Sequence, residues 1–595
     1  MTQIPSKKPF LYHSLPTKKP SFCKLRHVRF LSKLQASPKN LRKFTSVKKV
    51  NNALIPFTSQ ENQYSLYNAY FRTFAHFVKN ILTNKHVQSI QLQGNLLLSF
   101  PLLYSFIMKA TRIQGFSITI RDKEEAQILP YLKQIKSLTL TIASPIENLI
   151  PDHGSVDPLG LLALKNLRNL ELVFPDPELV PGLKLQPKNL THLLTVFSDP
   201  EFKASVRIRA SEFVTVDKTI TVTIPPKGAT HITSFKFGHV DEEGLAFLLR
   251  TSEGFNNLRE LNFTLRMNKK NLDSYLQILP RLICMEQLHS LGISFMLPFF
   301  HFDAQPIFRD LRFPQTIKDL SLHFYPVAFC PINELATSDF MNFRKELERL
   351  EHVKNLSINF VVSEHMNSCY SLIEQLNGDM KSLEKLKLKV DYHVEPNHTE
   401  TNCVRDILKW VIQLQNLRDL ELRVEFPNFF GIDRLAMEEH SSLKNLKTLI
   451  FRTPKEKTFA DDNFTVENLG FLLKLLEPSY NTLELFELDV SSVNFTEECF
   501  GILLHAVSQM RKLREFDCAI YEGEFTQPMF KAFEESLKSL DSLDEIHLMT
   551  DVKMKEDNNH PQLDNGHDPG HGHISDIPLG GGFFQKVSHL FDWRT

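Results

Sequence analysis

The stretch "NLRDLELRVEF", residues 416–426, decides the fold, because its apolar residues are spaced by three, two and two. Leu417 is followed by Leu420, Leu422 and Val424. A helix repeats every 3.6 residues and a plain strand every two, so neither period explains the first gap. The spacing predicts a turn at Leu417 that leads into a strand. The three later residues then point into a core, and the side chains between them point outward.

The same spacing recurs fifteen times along the chain, and from residue 258 onward the copies follow one another at steps of 29 to 37 residues. Self-similarity at a period of 20 to 50 residues is typical of solenoid proteins. The copies begin at Val87, Ile113, Ile135, Leu167, Ile232, Leu258, Leu288, Ile317, Val353, Leu383, Leu417, Leu446, Leu483, Leu513 and Leu543.

Amphipathic segments lie between the predicted strands. "CVRDILKWVIQL" at 403–414 and "CFGILLHAVSQM" at 499–510 place apolar residues at i, i+3, i+4 and i+7, which predicts one inward-facing helical stripe in each. A strand and a helix of about 30 residues cannot bury their apolar faces alone. Stacking such units gives a parallel sheet on one side and helices on the other.

These units resemble leucine-rich repeats of the longer, helix-containing, ribonuclease-inhibitor-like kind, over residues 87–550. The resemblance implies an α/β leucine-rich-repeat solenoid, or horseshoe, with a concave parallel β-sheet, convex helices and a protein-binding concave surface. In that family an Asn or Cys follows the third Leu by three residues and bonds to loop backbone. Asn95 of "VQSIQLQGN" occupies this position, whereas other units continue the apolar alternation, which predicts longer strands.

Charge and composition divide the chain into four parts. Residues 1–60 carry 13 Lys and Arg and no acidic residue, against 56 basic and 69 acidic residues in the rest, which predicts a disordered head that contacts anionic surfaces weakly. Residues 61–86 are predicted to form a helical cap on the solenoid of 87–550. Within the solenoid, the irregular strand-rich stretch 175–231 is interpreted as a drifted repeat rather than a binding insertion. Residues 551–595 form a Gly- and His-rich tail that ends in a short amphipathic segment, which binds either another protein's groove or the last repeat.

Motifs for enzymatic chemistry are absent from the sequence. It contains no P-loop, dinucleotide turn, His-Glu-x-x-His, nucleophile elbow or Cys-x-x-Cys. Its seven cysteines are at least 19 residues apart, which argues against a disulfide framework and a cysteine zinc site. The four histidines of "HPQLDNGHDPGHGH" at 560–573 are interpreted as part of a solvated linker rather than as ligands for zinc or copper. We therefore predict no catalytic, cofactor or metal site.

Outward positions on the later strands change sign along the array. Lysines and arginines come first, and acidic residues follow them. A nucleic-acid groove is basic throughout, so this pattern favours a protein partner of mixed charge. The predicted partner-binding residues on the concave face are Lys387, Lys389, Glu421, Arg423, Arg452, Glu487, Asp489 and Asp517.

The sequence therefore predicts a non-enzymatic scaffold for protein–protein interactions. Two alternatives stay open: the substrate-recognition subunit of a ubiquitin ligase, which follows from the resemblance, and a structural component of a larger assembly tethered to RNA or membrane by residues 1–60. No apolar run reaches the 18 residues of a transmembrane segment, and no signal-peptide pattern is present. The predicted location is cytoplasmic, with the nucleus or the mitochondrion, reached through the basic head, as alternatives.

Overall fold

The structure is a computed structural model of the 595-residue chain. It divides into two compact units, one of residues 1–173 with 200–205 and one of residues 174–199 with 206–595. The residues described are 28–29, 46–50, 89–92, 114–121 and 126–550. The last range excludes 128, 145–148, 150–156, 158, 176–183, 216–229, 267–271, 284, 298–311, 327–344, 363–379, 393–407, 409, 425–442, 453–465, 491–493, 496, 521, 524–526 and 539.

The first unit is a ladder of parallel strands in which each strand pairs with the next along the chain. Its strands are β1 (Val28–Arg29), β2 (Ser46–Val50), β3 (Ser89–Leu92), β4 (Gly115–Ile120), β5 (Ser137–Ile142) and β6 (Asn169–Phe174). Two of them, β1 and β2, lie within the head that was predicted to be disordered. The remainder of residues 1–60 and the cap at 61–86 lie outside the described residues, so those predictions stay predictions.

The second unit continues the same architecture with longer strands. These are β7 (Ser205–Phe213), β8 (Ile232–Val240), β9 (Glu260–Arg266), β10 (Ser290–Leu297), β11 (Asp319–Pro326), β12 (Asn355–Val362), β13 (Lys385–Tyr392), β14 (Asp419–Val424), β15 (Thr448–Arg452), β16 (Leu485–Asp489), β17 (Asn494–Phe495), β18 (Glu515–Ile520), β19 (Glu522–Gly523) and β20 (Glu545–Thr550). All pair in parallel; β17 pairs only with β19, and β16 pairs directly with β18.

Several helices of the second unit pack on the next helix along the chain. They are α1 (Pro187–Phe197), α2 (Glu242–Thr251), α3 (Leu272–Ile283), α4 (Val466–Leu476), α5 (Glu497–Gln509) and α6 (Gln527–Lys538). Contacts join α2 to α3, α4 to α5, and α5 to α6. Helix α5 confirms the helix predicted at 499–510, whereas only 408 and 410–414 of the segment 403–414 are described.

Strands occupy all fifteen positions that the repeated spacing predicts, and their parallel pairing makes the fold an α/β leucine-rich-repeat solenoid. The stretch 175–231 contributes α1 and β7, and β7 pairs in parallel with β8. Residues 176–183 and 216–229 lie outside the described part of the chain, so the interpretation as a drifted repeat stays a prediction. Among the described residues, no helix has the length and apolar character needed to cross a bilayer.

The gap of three residues has a backbone cause. The amides of Arg418 and Asp419 both donate to one carbonyl, that of Glu384, at 2.7 and 3.0 Å. Lys447 and Thr448 share the carbonyl of Arg418 in the same way, at 2.7 and 3.0 Å. The register from Lys385↔Asp419 onward is unbroken, so the shared acceptor marks the point at which the turn enters the strand. Leu417 lies in the turn before that point and Leu420 lies in the strand after it, so the gap between them does not follow the two-residue period of a strand.

Each repeat buries its apolar residues as the spacing predicts. Leu417 is 0% exposed, Leu420 3% and Leu422 1%. The amide of Leu417 donates to the carbonyl of Leu414 at 3.1 Å, which closes the turn before β14. Burying each of these side chains contributes about 1.5–3 kcal/mol. These positions are therefore structural, and the side chains between them point away from the core.

A polar ladder joins the turns of neighbouring repeats. Asn416, directly before the first leucine, donates from Nδ2 to the carbonyl of Lys381 at 2.6 Å, and Asn445 donates to that of Gln415 at 3.1 Å. This ladder satisfies turn carbonyls, the role that the resemblance gives to Asn or Cys after the third Leu. Equivalent bonds come from Asn166, Asn257, Gln287, Thr316, Ser382 and Thr482.

Candidate partner-binding face

Outward-facing side chains of β9 to β20 form two rows in register, which we call the open face. The first row runs through Asn262, Gly292, Ser321, Ser357, Lys387, Glu421, Ile450, Glu487, Asp517 and His547. The second runs through Thr264, Ser294, His323, Asn359, Lys389, Arg423, Arg452, Asp489 and Ala519. All eight predicted partner-binding residues lie on these two rows, so the structure brings them together.

Cationic residues dominate the open face on β13 to β15. Lys389 lies opposite Arg423, and Arg423 lies opposite Arg452, so the three form a continuous row. In the first row Lys387 lies opposite Glu421 and donates from Nζ to both carboxylate oxygens, at 2.7 and 2.8 Å. Four cations against one carboxylate leave this region with a net charge of +3.

Acidic residues take over on β16 and β18. Glu487 and Asp489 lie on β16, and Asp517 lies opposite Glu487 on β18. Arg452 reaches diagonally across to Glu487, with Nε to Oε1 at 2.5 Å and Nη2 to Oε2 at 2.9 Å. This hydrogen-bonded carboxylate, followed by the weaker effect of burial in the opposite direction, raises the pKa of Arg452. The guanidinium is thus already ion-paired, although the sequence predicted it simply as part of a basic row.

The uncharged end of the open face, on β11 and β12, contains a histidine in a partly buried setting. His323 Nε2 lies 2.8 Å from Ser321 Oγ, and its ring stacks on Tyr325 with centroids 6.1 Å apart. Its Nδ1 is buried and has no hydrogen-bond partner among the described residues. Burial, and then the positive charges of Lys387 and Lys389, lower the pKa of His323. The imidazole is consequently neutral at pH 7.

A shallow groove of about 400 Å³ lies on the strand-start side of the open face. It crosses β10 to β15. Its polar lining on β10 to β12 consists of hydroxyl and amide groups with the carboxylate of Asp319, and charged groups line it on β13 and β14. Its polar lining comprises Ser290, Asp319, Ser321, Asn355, Ser357, Lys385, Lys387, Asp419, Glu421 and Thr448. The groove adds Lys385 and Asp419, an ion pair at 2.5 Å, to the residues that the sequence singled out.

Sequence reasoning missed the acidic and imidazole groups on the last strands. Glu515 precedes Asp517 on β18, and His547 Nδ1 contacts Asp517 Oδ1 at 2.5 Å from β20. Outward positions on the fifteenth copy, beginning at Leu543, were the signal that could have found His547. Because Glu515 occupies the outward position before the first of the two rows, reading only those two positions left it out.

The chain is similar to solved structures with which it shares little sequence identity. No family model matches the chain, and no curated protein matches it. Among solved structures, TLR13 in complex with ssRNA13 is similar with 13% identity and a TM-score of 0.32, covering 88% of this chain. The chain spans 65% of the length of that TLR13 chain. A Bacteroides fragilis protein is similar with 14% identity and a TM-score of 0.25, covering 55% of this chain and 68% of that one.

Proposed function

We propose that this chain is a non-enzymatic scaffold that binds a protein partner of mixed charge on the open face. The single observation that carries the proposal is the register of the charges. Lys387, Lys389, Arg423 and Arg452 lie on three consecutive strands, and three carboxylates lie on the next two. A charge that only solvated the sheet would have no reason to separate by sign along the strand order. Complementary charge on a partner sets its register and its rate of association.

The separation of the two charged regions specifies the partner further. The centre of the cationic region, β14, and the midpoint of β16 and β18 are two and a half strand spacings apart, about 12 Å at about 4.8 Å each. An extended peptide covers that distance in about four residues, at about 3.3 Å per residue. We therefore propose that the partner presents an acidic cluster and a basic cluster whose centres are about four residues apart. The bound segment of the partner runs across the strands.

Synthetic peptides test this proposal on the full-length chain. A peptide with three acidic residues, one neutral residue and three basic residues has cluster centres four residues apart, and it should bind more tightly than a peptide of the same composition with alternating charges. Fluorescence anisotropy measures both affinities, and both should weaken as salt rises, because exposed charges are screened beyond about 8–10 Å at physiological salt. Equal affinity for the two peptides contradicts the proposal.

Charge reversal locates the binding site. The double variant Lys387→Glu with Lys389→Glu should bind the peptide with separated acidic and basic clusters at least about tenfold more weakly. A tenfold loss corresponds to about 1.4 kcal/mol of binding free energy. The matched control is Lys474→Glu with Lys531→Glu, two exposed lysines on α4 and α6. Equal weakening by the two double variants would place binding away from the open face.

Tethering through the basic head is a separate proposal that rests on the charge of residues 1–60. Because β1 and β2 lie in this segment, deleting it removes strands as well as charge. Lys7, Lys8, Lys18 and Lys19 lie outside both strands, so their replacement by Gln tests charge alone. The tether is supported if this variant loses binding to vesicles rich in anionic lipid and still binds the peptide with separated acidic and basic clusters. The ubiquitin-ligase role rests on the resemblance alone.

A further inference from the structure

Three side chains at the end of the open face offer a set of metal ligands. Glu515 and Asp517 on β18 and His547 on β20 each direct one ligand atom into the same space, and these atoms all lie within 4.8 Å of one another. Parallel pairing of β18 with β20 places Asp517 directly opposite His547. The three donors are therefore held by paired strands rather than by loops.

Like charges crowd this part of the sheet. Glu515 lies directly opposite Glu545, and Glu487 lies directly opposite Asp517. Carboxylates that face each other across a ladder are destabilising, because they repel at short range.

The carboxylates of Glu515 and Asp517 are not neutralised by a lysine or an arginine among the described residues. Arg452 is occupied by Glu487. Among the residues that the structure describes, neither Glu515 nor Asp517 has a lysine or arginine as an ion-pair partner; the basic group next to Asp517 is the imidazole of His547. Two carboxylates and one imidazole therefore share a site that is electrically suited to a divalent cation.

We propose that Glu515, Asp517 and His547 form a binding site for a divalent transition-metal ion, with Zn²⁺ as the ion that fits best. Imidazole nitrogen with carboxylate oxygen suits zinc, whereas magnesium and calcium take oxygen ligands alone. Three protein ligands also leave a fourth tetrahedral position for water or for a side chain of a partner. Cysteine-based motif searches do not detect such a site, because its ligands come from two repeats 30 residues apart and include no thiol.

Binding requires a small local rearrangement. Zinc–oxygen and zinc–nitrogen distances of about 2.0–2.2 Å place ligand atoms of a tetrahedral site about 3.4 Å apart. Asp517 Oδ1 and His547 Nδ1, now 2.5 Å apart, must separate slightly, and the other ligand atoms must approach. The half-exposed side chains can rotate to do so.

Zinc titration of the full-length chain tests the proposal. The tail histidines His560, His567, His571 and His573 are replaced by Gln in every sample, because they can bind zinc themselves. Isothermal titration at pH 7.5 should then give one equivalent of bound Zn²⁺. Cobalt substitution should give the visible absorption bands of four-coordinate Co²⁺. The Tm should rise with zinc concentration, because only the folded state brings the three ligands together.

Single variants assign the ligands. His547→Gln, Asp517→Asn and Glu515→Gln should each weaken zinc binding by at least about tenfold, the cost of losing even an outer-shell partner. His505→Gln, which removes an exposed imidazole from α5, should leave affinity unchanged. Absence of a saturable equivalent in the tail variant overturns the proposal. Unchanged affinity in His547→Gln or in both carboxylate variants, with circular dichroism showing a folded chain, overturns it as well.

Discussion

Arg452 and Glu487 join the cationic and acidic regions of the open face through a two-point ion pair. Nε and Nη2 of Arg452 donate to the two oxygens of Glu487 at 2.5 and 2.9 Å. The pair runs diagonally between β15 and β16, because the residue directly opposite Arg452 is Asp489. The boundary between the two charged regions is therefore fixed by a contact within the chain, while the lysines of β13 lie two strands away.

This ion pair should show a measurable coupling energy. In a double-mutant cycle with Arg452→Ala and Glu487→Ala, we expect coupling of about 0.5–1 kcal/mol, because the guanidinium and the carboxylate are only partly exposed and bond at two points. Urea denaturation measures the four free energies of unfolding. The Lys165–Glu201 pair is the control: its side chains are 67% and 62% exposed, so its coupling should be smaller. Equal coupling in the two cycles would contradict this account.

Core leucines and outward leucines of the same sheet should differ sharply in their contribution to stability. Leu422 is 1% exposed, so Leu422→Ala should cost about 2–5 kcal/mol. Leu485 occupies an outward position on β16 and is only half-buried, so Leu485→Ala should cost less than about 1 kcal/mol. Hydrogen exchange should show the opening caused by Leu422→Ala spreading from β14 to its paired neighbours. Similar costs for the two variants would mean that the core lies on the other face.

The strands and their register could be predicted from the sequence because one spacing is repeated fifteen times and strands in a stack pair with their neighbours. That repetition predicts Lys389, Arg423 and Arg452 in one row, and the pairing of β13 to β15 confirms the row. The helices were harder to predict from the sequence, because their apolar stripes vary in length and position. Helix α1 lies in the stretch 175–231, for which the apolar pattern predicts strands.

Individual side-chain contacts could not be predicted from the sequence. A spacing pattern gives the face on which a side chain lies but not its rotamer, so the bond from Arg452 to Glu487 could not be told from one to Asp489. The Asn ladder was missed because the family resemblance directs attention to residues after the third Leu. Here Asn416 and Asn445 make the corresponding bonds from the position before the first Leu.

Removing one step of the Asn ladder should destabilise the turns modestly. Asn416→Ala loses the bond to the carbonyl of Lys381 and should lower the free energy of unfolding by about 0.5–1.5 kcal/mol. Asn416→Ser should recover little, because its shorter side chain ends before that carbonyl. The exposed Gln415, one residue earlier, supplies the control variant Gln415→Ala, which removes no such side-chain bond. A loss in Asn416→Ala no greater than in this control would show that water replaces the ladder without cost.

Acid should destabilise the chain partly through His323. Burial and the charges of Lys387 and Lys389 hold the pKa of His323 below its ordinary value of 6.5, so the unfolded state binds its proton first. The contribution of His323 to stability is therefore complete above about pH 6.5 and is lost as pH falls through the lower pKa of the folded state. His323→Gln should flatten the fall in unfolding free energy between pH 7 and 5. An equal slope in the parent chain and in His323→Gln would rule out the role of His323.

Two glycines should respond in opposite directions to the same substitution. A Cβ on Gly238 in β8 meets the backbone oxygen of Ser211 in β7 at 2.5 Å, so Gly238→Ala forces the two strands apart. Overpacking of this kind costs about 1–3 kcal/mol. Gly470, inside helix α4, has nothing within 4 Å of its Cβ position, so Gly470→Ala should stabilise the chain by about 0.5–1 kcal/mol through helix propensity. Thermal and urea unfolding of both variants measure the two signs. Stabilisation by Gly238→Ala would show that β7 and β8 do not approach as closely as their pairing requires.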